Sequence, residues 1–280
     1  HRQNNQNSNH VMNMRADHTI NGNNSMLLTA NASLSDAQSE QQSSSTTSSV
    51  NGTANNKSDQ TRFVLSRRMH LSSGLLWRKR FSAPGRTLTS GMDVSVNQSE
   101  QEGTLEAINR YVGDALEEQV LLQQNLQENK HQVLAANIAY TEPVGSNAVL
   151  ETSYLVTRNK SEVKQEVFDL ENGLEIWNEE LSKAYKIVNL YQRLALTYNL
   201  KGEVWSITLG GGLQLTSLNG RLLNLQQEVR KDYKNILPSL RFNYEINSFK
   251  RLFLEFETSI REPDVQQLQP LVDNSDPLNL

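Results

Sequence analysis

Cysteine is absent from the 280 residues, which excludes both a disulfide framework and a thiolate metal site. Long hydrophobic runs are missing too. No stretch of about 18 apolar residues occurs, so no membrane-spanning helix is written here. Mean hydropathy is −0.59 and 36% of residues are hydrophobic, a composition too polar for a helical membrane protein. Neither sign of charge dominates. With 27 Lys and Arg against 31 Asp and Glu, the net charge is −4 and the pI about 5.8, so composition gives no pull toward nucleic acid or an anionic surface. The five histidines, His1, His10, His18, His70 and His131, are scattered without metal-ligand spacing. No serine elbow or other nucleophile arrangement is present, so no catalytic, cofactor or metal residue is assigned and the chain is not read as an enzyme. The opening HRQNNQNSNH has no apolar core and therefore is not a signal peptide.

What is present is alternation. In 237–259, Leu240, Phe242, Tyr244 and Ile246 are separated by Arg241, Asn243 and Glu245; past a turn at 247–250, Leu252, Leu254 and Phe256 resume the pattern. A helix would scatter these residues around its circumference, whereas a strand sorts them onto one face. The pattern recurs upstream in pairs of segments. Val188, Leu190, Leu194, Leu196 and Tyr198, interrupted by Gln192, precede Trp205, Ile207, Leu209, Leu213 and Leu215. Leu134, Ala136, Ile138 and Tyr140 precede Leu150, Tyr154 and Val156. Leu75, Trp77 and Phe81 precede Leu88, Met92, Val94 and Val96. Met12, Met14 and Ile20 precede Met26, Leu28, Ala30 and Leu34. Between the members of each pair lie Gly, Asn or Pro residues suited to hairpin turns, near 22, 84, 144 and 201, with Asn-Ser-Phe-Lys near 248 the least turn-like.

These segments predict about ten strands in five hairpins. Polar stretches at 36–60, about 100–130, 158–183 and 217–235 would separate the hairpins as long loops. Short turns at one end and long loops at the other are the asymmetry of an outer-membrane β-barrel, periplasmic and extracellular respectively. In a barrel only every second residue faces lipid, which reconciles the polar composition with a membrane. Phe81, Tyr140, Tyr198, Tyr244 and Trp205 all flank short turns, as an interfacial aromatic girdle requires; strand-end aromatics of a soluble sheet are the competing account. Residues 41–60 are low-complexity and expected to be mobile, and 104–130 fits helical and extended spacing equally well.

Three clusters invite a functional reading. Arg67, Arg68, His70, Arg78, Lys79 and Arg80 could bind phosphate, but Arg78 and Arg80 alternate with Trp77 and Phe81, which suits a lumen row plus an interfacial anchor. Gly210-Gly211-Gly212 lacks the Lys and the helix start of a phosphate loop; a bulge, a bend or close approach of a second body explains it better. Glu245, Glu255 and Glu257 share one face and could resemble an acid–base pair, though a charged barrel interior accounts for them.

The C-terminal run LPSLRFNYEINSFKRLFLEFETSIREPDVQQLQPLVDNSDPLNL (237–280), above all QLQP at 267–270 and VDNSDPLNL at 272–280, resembles the outer-membrane β-barrel family of TonB-dependent-receptor type common in Bacteroidetes. Phe81 with Pro84-Gly85-Arg86, and Tyr140-Thr141-Glu142-Pro143-Val144-Gly145, echo it. The resemblance implies a barrel of about 22 strands closed around an N-terminal plug. Such a barrel imports a ligand with energy delivered by TonB, in the cell outer membrane of a Gram-negative bacterium. The expectation is therefore an all-β, antiparallel transmembrane β-barrel domain over 1–280. It would be partial, with the plug, the closing strands and the export signal lying outside this chain. Its expected partners are outer-membrane lipid, its own plug, TonB through the plug and an unidentified ligand, with no nucleic acid and no cofactor. A structural or adhesive barrel and a soluble secreted β-protein are the competing classes.

Overall fold

The computed structural model describes residues 1–48, 54–112, 116–223 and 227–260. Strands β1 (Arg2–Asn21), β2 (Asn24–Ser48), β3 (Ala54–Arg80), β4 (Thr87–Val112), β5 (Leu116–Val144) and β6 (Ala148–Glu171) follow one another. A short β7 (Leu174–Trp177) precedes β8 (Lys183–Lys201), β9 (Trp205–Leu222), β10 (Gln227–Asn247) and β11 (Lys250–Glu257). They form one antiparallel sheet in the order β1-β2-β3-β4-β5-β6-β8-β9-β10-β11, with β7 paired to the end of β6. Consecutive long strands are always neighbours, and the five hairpins expected from the alternation are all present. The last twenty residues, with the QLQP and VDNSDPLNL motifs, lie outside the described residues.

Register confirms the facing. Directly opposed residues of an antiparallel pair point to the same side. Tyr244 faces Trp205, Phe242 faces Ile207 and Leu240 faces Leu209. Across the next ladder Leu209 faces Tyr198 and Leu213 faces Leu194, and Tyr198 faces Leu150. The set continues through Tyr154–Ile138, Ala136–Met92, Met92–Leu75 and Leu75–Leu28 to Ala16. With Leu252 of β11 facing Tyr244, one apolar belt therefore runs across ten strands, interrupted by a polar residue at Gln192. Its large members stay exposed, including Leu194, Leu209, Leu254 and Phe256, while the buried Thr157, Asn189, Gln214, Thr216 and Leu237 sit on the opposite, crowded face. An apolar face exposed while polar groups are buried is the inverse of a water-soluble sheet. Gln192, the polar interruption in this belt, accepts a hydrogen bond from the Tyr154 hydroxyl at 2.8 Å.

The upper margin of the belt yields the strand tilt. Leu34 ends it on β2, and the register line through Leu34 passes Met69, Gln98, Lys130 and Glu162. On those strands the last belt residues are Met69, Val96, Leu134 and Val156. The margin thus slips by about six residues over four strand steps. With a rise of about 3.4 Å per residue and a spacing of about 4.8 Å, the strands lean about 45° from the belt normal, the inclination of a transmembrane barrel.

Above the belt the structure corrects the expected loops. Of 36–60 and 100–130, every described residue is in a strand. This includes the described part of the low-complexity stretch and the described residues of 104–130, which are extended rather than helical. At 217–235 only Leu223 among the described residues is outside a strand. Both faces of these extensions mix polar residues with scattered apolar ones such as Leu65, Leu105, Ile108 and Leu122, so alternation disappears although backbone pairing continues. The stretch 158–183 contains a further hairpin, β6–β7, turned by Asn172 and Gly173 at φ 53° and 78°. Asn-Gly is the strongest short hairpin signal, and here it turns a hairpin inside the stretch expected to be a loop. From β7 the chain returns through 178–182, where Asn178 accepts from the Leu181 amide at 3.0 Å and donates to Asp169 at 2.7 Å.

The facing assignment makes a direct prediction. Leu209→Arg, at mid-belt, should destabilise the full-length protein in bilayers by about 2–4 kcal/mol. Thr208→Arg, on the inner face beside Asn199, should cost much less. Equilibrium urea unfolding into lipid vesicles measures both, and equal losses would overturn the assignment.

Candidate functional site

The inner face is the surface on which a barrel would work, and it is built to lie flat. Long polar side chains repeatedly rest on glycines of the neighbouring strand. A Cβ at Gly74 would stand 2.6 Å from Asp93 Oδ1 and 3.0 Å from Thr29 Oγ1; at Gly91, 2.7 Å from Asn137 Oδ1; at Gly210 it would collide with Ser239 Oγ. Any larger residue at these places would force its neighbour upright into the lumen. The Gly210-Gly211-Gly212 run thus has a local explanation. Gly210 sits beneath Ser239, Gly212 lies 3.2 Å from Arg193 Nε as judged from its built Cβ, and Gly211 points outward into open space. Neither ladder of β9 shifts register there, so the expected bulge is absent.

The basic cluster does not converge. Arg67 points outward and pairs with Asp36 at 3.0 Å. His70 bonds Asn97 on the inner face. Lys79 turns outward, its Nζ 5.0 Å from the Phe81 ring centroid, while Arg78 and Arg80 have inward parity. Phe81 packs edge-on against Tyr140 with centroids 6.3 Å apart, and Trp205 opposes Tyr244, so four of the five expected girdle aromatics form two pairs near the short turns. Behind Tyr140, Arg86 holds Glu142 through two hydrogen bonds, at 2.9 and 2.6 Å, joining the β3–β4 turn to β5.

The three glutamates share the inner face but do not act as a pair of carboxylates. Glu245 binds Arg251 at 2.6 Å, and Glu255 takes a hydrogen bond from Arg241 Nε at 3.1 Å. Glu245 and Glu255 are thus each committed to an ion pair across the β10–β11 ladder. Among the described residues no group of three or more His, Asp and Glu could hold a metal ion.

Sequence reasoning missed a second kind of site, the stitching of the extensions above the belt. Lys57 and Arg110 reach Asp59 at 3.2 and 2.8 Å, and Arg110 also reaches Glu118 at 3.0 Å, which ties β3, β4 and β5. Glu162 bridges Lys160 at 3.0 Å and Lys186 on β8 at 3.2 Å. Asp59 is held below the usual carboxylate range, first by the Ser44 hydroxyl and then by Lys57 and Arg110. Glu162 is likewise lowered, by Lys160 first and then Lys186. Charge signs at cross-strand spacing were the available signal, but without the register they could not be paired.

Because both carboxylates titrate below their ordinary values, their contribution is fully present above the ordinary range and is lost as pH falls through the lowered values. Backbone amides around Asp59 and Glu162 should therefore exchange faster with solvent between about pH 7 and about pH 3, after correction for the intrinsic rate, while belt amides do not. Arg110→Ala should produce the same acceleration at Asp59 at neutral pH. Hydrogen exchange read by mass spectrometry reports both effects.

Comparison with solved structures returns weak overall similarities. The ferric citrate transporter FecA in its unliganded form superposes with TM-score 0.39 at 9% identity, over 86% of this chain and 42% of that one. The alcaligin outer-membrane receptor FauA of Bordetella pertussis gives 0.35 at 9%, over 85% and 41%. The ferric yersiniabactin uptake receptor FyuA of Yersinia pestis gives 0.32 at 8%, over 80% and 42%. The chain spans less than half the length of each. No curated protein matches. The model of the outer membrane protein β-barrel family matches residues 79–280. With an exposed apolar belt, a tilt of about 45° and that match over most of its length, the chain belongs to the outer membrane protein β-barrel family, whose place is the Gram-negative outer membrane.

Proposed function

We propose that the chain forms part of the wall of a ligand-uptake receptor driven through TonB, in which a plug fills the lumen. The observation that carries this reading is the low-profile inner face. Glycines at 74, 91, 210 and 212 let Asp93, Asn137, Ser239 and Arg193 lie down along the sheet. A lumen that only held water would have no need of a smooth wall, whereas a folded body sliding or docking against it would. The inner face is also polar, with Thr208 bonded to Asn199 at 2.6 Å and Asn243 to Ser206 at 3.4 Å, which suits a protein surface that must release as well as bind.

The sheet does not close on itself among the described residues. Among the described residues β1 and β11 each have one unpaired edge. An open edge in hydrocarbon leaves a row of amides and carbonyls without partners, each costing several kcal/mol. We infer that further strands of the same longer protein cover both edges, and that the plug and its TonB-contacting segment also belong to that protein.

The absence of cysteine from this chain supplies the test. Thr197→Cys and Ser239→Cys place a thiol on the inner wall of the full-length protein, and Glu166→Cys places one outside. A membrane-impermeant maleimide applied to whole cells should label the inner positions slowly, and faster when TonB is present and energised, with the outer position unaffected. Inner labelling that is equally fast with and without TonB would instead support a structural or adhesive barrel.

A further inference from the structure

Arg193 is a charge without a counter-charge in the middle of the inner wall. Its ladder partners are Leu155 on β6 and Gln214 on β9, which gives it inward parity, and its chain neighbour Leu194 belongs to the exposed belt. The guanidinium therefore stands at belt height on the lumen side. The other inner arginines are treated differently. Arg241 is paired with Glu255 and Arg251 with Glu245, while Arg78 and Arg80 are exposed to water at the short-turn end. The Arg193 side chain makes no ion pair and no hydrogen bond among the described residues, and its Nε is sealed from solvent without an acceptor. A buried donor left unmet in this way is costly, the more so when it carries charge.

The group has a built seat. It leans across the ladder onto β9, where a Cβ at Gly212 would stand 3.2 Å from Nε, 3.6 Å from Nη2 and 3.7 Å from Leu237 Cβ of β10. Glycine at 212 thus leaves room for the guanidinium to lie against the sheet, beside the buried Gln214 and Leu237. By register from Gly212, the nearest inner-face carboxylates among the described residues are Glu151 on β6 and Glu257 on β11, each two strands and two residues away. At a strand spacing of about 4.8 Å and a rise of about 3.4 Å per residue that is about 12 Å, so neither is within ion-pair distance.

The surroundings narrow the missing partner. The adjoining inner positions Leu155, Ala195, Thr197, Gln214 and Leu237 carry no second cation, which suits one carboxylate and not a multiply charged phosphate. The seat lies one row above Thr197 and Ser239, on the stretch of wall that the filling body covers in the uptake reading. We propose that Arg193 is the docking point for an aspartate or glutamate side chain on the body that fills the lumen. The assignment rests on that reading and adds to it one fixed, charge-assisted contact on a wall that is otherwise smooth.

Arg193→Lys keeps the positive charge and supplies an amine. Treating the full-length protein in isolated outer membranes with a water-soluble carbodiimide should join that amine, with loss of water, to an Asp or Glu of the filling body, outside residues 1–280, as read by peptide mass spectrometry. Joining only to Glu151 or Glu257, or no joining in protein whose heat-modifiable gel migration is normal, would overturn the proposal. The second measurement uses Thr197→Cys, one row below the seat. Without TonB, adding Arg193→Gln should speed maleimide labelling there by about tenfold, the effect of losing one charge-assisted contact, while Arg193→Lys stays near the parent rate. Protection of Thr197→Cys that Arg193→Gln leaves unchanged would overturn the proposal and leave the uptake reading standing. Free labelling of Thr197→Cys with Arg193 intact would remove the filling body, and with it both.

Discussion

Hydrocarbon offers no hydrogen bonds, so every backbone amide and carbonyl that enters it must find a partner in the protein. The ten-strand ladder of this chain meets that demand at every strand between β1 and β11, and the rest of the structure follows from it. Pairing at constant register keeps successive side chains on opposite faces, so one face can be surrendered to lipid while the other is kept for water or protein. The tilt follows as well. A belt of fixed height drawn across leaning strands must slip in register, and here it slips by about 1.5 residues per strand.

Above the belt the same ladder continues under different chemistry. With water on both sides there is no apolar face to hold the strands, and the structure substitutes cross-strand ion pairs such as Asp59–Arg110–Glu118 and Glu162 between Lys160 and Lys186. Exposed pairs are individually weak, so the length of the extensions rests chiefly on continued backbone pairing with the charges setting register. Below the belt, the contacts of Phe81, Tyr140, Arg86 and Glu142 fasten one turn to its neighbour. The two ends thus differ in kind, with compact, aromatic turns at one and long, polar, charge-stitched hairpins at the other.

Legibility in the sequence tracked the presence of lipid. Where one face is apolar, residues such as Leu240, Phe242 and Tyr244 announce strand, face and partner, and all five belt hairpins could be placed from them. Where both faces are mainly polar, as at 36–60 and 100–130, the period-2 signal vanishes and continuous strands read as loops. The β6–β7 hairpin is also written in the sequence, at Asn172-Gly173 with Phe168, Leu170, Leu174 and Ile176 alternating with Asp169, Glu171 and Glu175, but β7 is only four residues long and its apolar run is too short to stand out from the polar stretch around it. For the glycines at 210–212 the sequence left a bulge, a bend and the close approach of a second body open, since their partners Ser239 and Arg193 become visible only once β8, β9 and β10 are in register. The charged-interior account of the three glutamates was legible from their shared parity, but the pairing of Glu245 with Arg251 and of Glu255 with Arg241 needed the β10–β11 register.

The central claim is that one face of this sheet meets lipid along a belt that slips in register across the strands. Single cysteines carrying nitroxide labels, placed in turn from 236 to 246 and at Leu34, Val96 and Val156 in the full-length protein in bilayers, measure it through collision with oxygen and with a water-soluble nickel complex. Even positions of 240–244 should favour oxygen and odd positions the nickel complex. The lipid signal should end within about two residues above each of Leu34, Val96 and Val156. Alternation that is absent or of opposite parity, or a lipid boundary that follows the register line instead of slipping across it, would contradict the account.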